Sequence, residues 1–143
     1  MRRPLLSMPL LLLCASGAQA SEDCKPKDVD VCATARTLQQ GLAPQLPLRI
    51  GETMIMQDAN VDGRRLGIVV VWQMNDAELQ QRLTDNLMTM QDLQSNLEEQ
   101  TVQTACGRPE TANFIQLGGE IQYTYRLANG TPLHEPVISA CPG

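Results

Sequence analysis

Hydrophobic and polar positions recur with a changing period along this chain, and the changes mark out its elements. From Val31 to Gly41 the pattern is helical, with Ala35, Leu38 and Leu42 spaced for one face, and Gly41, Pro44 and Pro47 end it. Leu48 to Asp58 reads as a strand with Ile50, Met54 and Met56 in phase, and Asn60-Val61-Asp62-Gly63 follows as a tight hairpin turn. Leu66 to Met74, LGIVVVWQM, is almost continuously apolar and rich in β-branched residues, which predicts a central strand buried on both faces. Asn75-Asp76-Ala77-Glu78 is a capping pattern, Asn75 with its reciprocal Glu78, that opens a long helix from about Ala77 to Thr104. Leu79, Leu83, Leu87, Met90 and Leu97 form its apolar stripe, and Gln80, Gln81, Asp85, Asp92, Glu98 and Glu99 its wet face. Near Cys106-Gly107 this helix breaks, Pro109 restarts a short one through Phe114 and Leu117, and Gly118-Gly119 stops it. Ile121, Tyr123, Tyr125 and Leu127 then alternate with Gln122, Thr124 and Arg126, a strand of period two whose tyrosine face belongs in the core. Asn129-Gly130 turns the chain into a returning strand, Thr131 to Ala140, that Pro132 and Pro136 suit to a sheet edge. The predicted fold class is α+β: a four-stranded antiparallel sheet made of two β-hairpins, packed against an N-terminal helix and a long amphipathic helix.

The start of the chain has a different character. Arg2 and Arg3 precede a short apolar run, Leu5 to Cys14, and Ala18-Gln19-Ala20 is a small-x-small cleavage pattern. Residues 1–20 read as a cleaved signal peptide and 21–143 as a single domain, periplasmic or secreted. The run is too short to span a bilayer and is interrupted by Pro4 and Pro9, so no membrane insertion is expected after cleavage. Cys14 follows Leu13, where a lipoprotein signal wants a small residue.

Charge and cysteine usage sharpen that picture. The chain has 11 basic and 16 acidic side chains; without Arg2 and Arg3 it keeps 9 basic ones, a net charge of −7. An acidic domain lacking a Lys/Arg cluster is a poor ligand for nucleic acid or for anionic lipid. Four cysteines follow the signal: Cys24, Cys32, Cys106 and Cys141. An even number in an exported chain points to two disulfides. Of the three possible pairings, Cys24–Cys32 with Cys106–Cys141 is favoured, closing loops of about 9 and about 36 residues, worth ~2.6 and ~3.8 kcal/mol on the chain-entropy model. Pro26 and the polar run from Lys25 to Asp30 supply the bend that the shorter loop needs. Zinc is disfavoured, because there is no CxxC and only one histidine.

Several of these features resemble a family of small exported Gram-negative proteins typified by the quorum-sensing-regulated virulence factor. They are the helix running into Leu46-Pro47-Leu48-Arg49, a hairpin with an apolar second strand, and the helix into Cys106-x-x-Pro109. Gly118-Gly119 before Tyr123-x-Tyr125, the turn at Asn129-Gly130 and the final Cys141 complete them. The resemblance covers about residues 33–141. It implies an α+β fold and the Cys106–Cys141 bridge, and carries no catalytic residue with it; Cys24 and Cys32 are outside its pattern.

No catalytic set emerges. His134, the sole histidine, lies between Leu133 and Glu135, and none of Ser21, Ser95 and Ser139 sits in a G-x-S-x-G elbow. Adjacent Glu98 and Glu99 diverge on a helix, and Asp76 and Glu78 are explained by capping. Met54, Met56, Met74, Met88 and Met90 raise a copper alternative, since thioethers bind Cu(I), but filling gaps in an aromatic-poor core is the simpler account. Gly118-Gly119 ends a helix instead of opening one around a phosphate, and Asn60-Val61-Asp62-Gly63 is too sparse for a calcium loop. The expectation is a non-enzymatic protein-binding module of inhibitor, immunity or adaptor type, without cofactor, whose partner is another envelope or secreted protein. A metal or small-ligand binder is the alternative, and an envelope hydrolase comes third.

Overall fold

The computed structural model describes residues 23–143; the expected signal over residues 1–20, with Cys14, and Ser21 lie outside them. The elements run α1 (Val31–Leu42), a 3-10 turn (Ala43–Gln45), β1 (Leu48–Arg49), β2 (Met54–Asp62), β3 (Arg65–Trp72), α2 (Asp76–Asp85), α3 (Met90–Gly107), α4 (Pro109–Gln116), β4 (Glu120–Leu127), β5 (Pro132–His134) and β6 (Val137–Ile138).

The α+β class holds, but the sheet is not four antiparallel strands. It is mixed, in the order β1-β2-β3-β4-β5, with β6 also paired to β4. β2 and β3 form the first hairpin, turning at Gly63-Arg64. β4 and β5 form the second. The two hairpins meet through β3 and β4, which run parallel from Arg65↔Glu120 to Trp72↔Leu127. A parallel pair needs a crossover of a dozen residues or more, and here three helices lie between the two strands. Turn residues specify each hairpin locally and say nothing of the pairing between them.

Two expected strands are divided. In the first, the chain folds back at residues 50–53, with Ile50 N–H on the Met54 carbonyl at 3.0 Å, so β1 is a short edge strand on β2. In the last, Pro136 separates β5 from β6; having no N–H, it joins the ladder only as an acceptor, from Tyr123 N at 3.0 Å.

The long helix is also two. α2 ends at Asp85 and α3 begins at Met90. Leu87, placed on the expected stripe, instead stands 94% exposed in the connecting turn. Each helix has its own capping box: Asn75 with Glu78 on α2, and Thr89 with Asp92 on α3. Leu79, Leu83, Leu93 and Leu97 are the buried leucines of the pair.

These join one core with Leu66, Ile68 and Val70 of β3 and Ile121, Tyr123, Tyr125 and Leu127 of β4, closed by Val31, Ala35 and Phe114. Thr101 Oγ1 donates to the Leu97 carbonyl at 2.6 Å, so the 2.7 Å contact between Thr101 and Tyr125 has the tyrosine hydroxyl as donor. Val69 and Val71 are not part of this core, contrary to the expectation of a strand buried on both faces. They are half-buried on the opposite face, where Arg126 Nη2 reaches across β3 to Gln57 Oε1 at 3.0 Å. A bulge in β2 between Met56 and Asp58 sets Gln57 apart from the ladder for that contact.

Cys24 is bonded to Cys32 and Cys106 to Cys141, with Cα atoms 5.0 and 5.6 Å apart. The first loop is docked on the end of α4: Lys27 Nζ donates to the Gln116 carbonyl at 2.7 Å, a cation at a helix C-terminus.

Candidate binding cleft

Between α1 and the joint of α3 with α4 the sheet is left uncovered, and a cleft of about 230 Å³ opens there. Leu38 and Leu42 of α1 form one wall; Met56, Leu66, Ile68 and Tyr123 form the floor; Thr104, Ala105, Arg108, Glu110 and Thr111 form the other wall. The joint has a local cause. Residues before proline avoid the helical region, so Arg108 is extended (φ −105, ψ 129) and α3 ends against Pro109. Thr111 Oγ1 ties the corner by donating to the Ala105 carbonyl. Ligand pockets for whole small molecules run from about 300 Å³ upward, so this volume suits one or two inserted side chains.

The polar groups of the cleft are few. Tyr123 is 6% exposed, and no described residue hydrogen-bonds its hydroxyl. Burial pushes its phenol up to about 12, the nearby Tyr125 adds to this, and the Arg108 charge pulls the other way. It therefore stays an O–H donor at ordinary pH. The two tyrosine rings stack with centroids 5.8 Å apart, but only Tyr125 has a hydroxyl partner. A second hollow, about 490 Å³, lies beside Lys27, Ile115, Gln116 and Cys141, and its one cation is held by the Gln116 carbonyl.

The side chains singled out for chemistry are dispersed. His134 Nε2 meets Glu98 Oε2 at 3.1 Å on the surface, and no described serine bonds to either. Glu99 faces Gln103. Glu78 caps α2, and Asp76 accepts from Asn129 at 2.8 Å, tying α2 to the β4–β5 turn. Arg65 Nε and Nη2 hold Glu120 Oε2 at 2.9 and 2.7 Å, with Arg64 at 3.6 Å from the other oxygen. Met54, Met56, Met88 and Met90 pack partly buried against the core, and Met74 is fully within it. Among the described residues one cluster has metal-ligand spacing, Cys24, Asp30 and Cys32, but its sulfurs are in the disulfide and Asp30 Oδ1 accepts from Ala33 N–H.

Glutamines reach two flanks of the sheet, though not the edge strand β1. Gln39 Nε2 donates to the Ala59 carbonyl of β2 at 3.2 Å, and Gln94 Nε2 to the Leu133 carbonyl of β5 at 2.8 Å. With Pro132 and Pro136, the Gln94 contact blunts the β5 edge. Arg108 and the unpartnered Tyr123 hydroxyl escaped sequence reading, which saw in Cys106-x-x-Pro109 a helix break and in Tyr123 a core residue.

No family model and no curated protein matches the chain. Three solved structures do. A protein of Pseudomonas aeruginosa described as secreted aligns at TM-score 0.61 and 14% identity, over 87% of this chain and 96% of its own. The type II secretion system pilotin AspS of Vibrio cholerae aligns at TM-score 0.55 and 19% identity, over 76% and 88%. The type 2 secretion system pilotin EpsS of Vibrio vulnificus aligns at TM-score 0.57 and 11% identity, over 79% and 93%. All three come from Gram-negative bacteria, and none is described as a quorum-sensing-regulated virulence factor. What they share with this chain is its fold.

Proposed function

We propose that this is a small non-enzymatic protein of the bacterial envelope that binds another exported protein, seating an apolar segment of it in the cleft between α1 and the α3–α4 joint. The observation that carries this is the cleft itself, an apolar floor left open in a molecule whose β5 edge is blunted and whose other sheet face is bridged by Arg126 and Gln57. The two disulfides suit an oxidising compartment. Among the described residues no helix is long and apolar enough to cross a membrane. The fold likeness to two type II secretion pilotins supports a pilotin-like role, helping a component of a secretion apparatus in the envelope.

The test is site-specific photocrosslinking in the producing bacterium. A photoreactive residue replacing Leu38 or Thr104, in the cleft, is expected to trap one discrete partner. The same residue replacing Thr124, on the sheet face away from the core, is expected to trap none. Absence of an adduct from both cleft positions, or the same adduct from Thr124, overturns the proposal.

A further inference from the structure

Three features of the cleft point to the chemistry of what binds there. Arg108 is exposed beside the apolar floor and forms no ion pair with a described residue. Tyr123 is buried as a residue and lines the same cleft, and its hydroxyl, which is not among the fully buried atoms, bonds to no described residue. α4 begins on this wall without a side-chain cap: its first residue, Pro109, has no N–H, which leaves those of Glu110 and Thr111 as the first, and Glu110 is the acid of its first turn. An O–H donor, a guanidinium and an uncapped helix N-terminus all call for an acceptor bearing negative charge. Glu110, two residues from Arg108, is the one acid lining the cleft, and no ion pair joins the two.

We infer that the cleft selects a carboxylate: the partner segment carries an aliphatic side chain for the floor of Leu38, Met56, Leu66 and Ile68, and next to it an acidic group for Arg108 and the Tyr123 hydroxyl. The inference rests on the docking reading above and adds the identity of the polar anchor. It runs against the mean field of the molecule. The chain is acidic, with a formal net charge of −5, so long-range electrostatics favour a cationic ligand. A preference for an anion must come from the local groups.

Octanoate, octylamine and octanol, matched in chain length, serve as probes, each titrated into the oxidised protein and followed by amide shifts in NMR. Octanoate is expected to move the amides of Ile68, Ala105, Arg108 and Glu110, and to bind about tenfold tighter than octylamine, roughly the effect of one charge-assisted hydrogen bond. Arg108→Gln should abolish that preference, and Tyr123→Phe should reduce it. Arg108 is exposed, so its variant keeps the fold, which a urea transition matching the parent's would verify. Equal binding of all three probes in the cleft, or preference for the amine, overturns the carboxylate inference and leaves the docking reading standing. Failure of every probe to shift the cleft amides overturns both.

Discussion

At the end of α2 the chain places Leu87, at φ 53, where helices commonly finish in glycine. The hydrogen bonds around it are those of that ending: Leu87 N–H to the Thr84 carbonyl and Met88 N–H to the Leu83 carbonyl, at 3.1 and 2.9 Å. A leucine in this left-handed region costs about 1–2 kcal/mol, and burial returns nothing at 94% exposure. Leu87→Gly should therefore stabilise the protein by up to ~1 kcal/mol in urea titration, after the extra chain entropy that glycine loses on folding. Gly119 is the opposite case. A Cβ there would lie 2.4 Å from the ring of Phe114, which is fully buried and has no room to move. Gly119→Ala should cost about 1–3 kcal/mol in the same titration. In the sequence Gly118-Gly119 is legible as a helix stop, but the two residues serve different ends. Only Gly118 has a positive φ, of 101, whereas Gly119 is glycine because of its neighbour's ring. Such a contact between side chain and backbone has no local signature.

Elements with their own start and stop signals were readable: α1, α4, β3, β4 and both hairpin turns lie close to where pattern and punctuation put them. The division of the long helix was missed because its apolar spacing runs on through Leu87 and because Asn86 is a weaker stop than glycine. The signal was nonetheless present in Thr89-Met90-Gln91-Asp92, whose threonine accepts from Asp92 N–H while the aspartate accepts from Thr89 N–H at 2.8 Å. The backbone and hydroxyl of Thr89 hold the Asp92 carboxyl below the usual range. A lowered carboxylate pKa means that the unfolded chain binds the proton more readily. The cap's contribution is thus complete above the ordinary aspartate pKa and is lost as pH falls through the lower, folded value. Asp92→Asn should flatten the acid limb of the stability profile there. Thr89→Ala should cost ~1 kcal/mol at neutral pH, seen as a loss of amide protection over the first turn of α3.

For the whole molecule, the decisive contact is the parallel pairing of β3 with β4, because it joins two locally specified hairpins into one sheet across a connection of three helices. That connection must close a long loop before any pairing rewards it. The Cys106–Cys141 bond links the end of α3 to the chain just beyond β6. It also holds the wall of the cleft, since Ala105 and Arg108 flank Cys106. Cys24–Cys32 closes a separation of only 8 residues, against 35 for the other bond. If loop entropy dominates, replacing Cys106 and Cys141 by alanine should cost about 3.8 kcal/mol and replacing Cys24 and Cys32 about 2.6. The two double variants, compared with the parent by urea unfolding, give the order directly. The reverse order would mean that the short loop matters through what it touches, with Pro26 lying over Gly118 and Lys27 on the Gln116 carbonyl, more than through the entropy it removes. A separate reading comes from octanoate affinity, which should fall only in the Cys106/Cys141 variant, where the Arg108 wall loses its anchor.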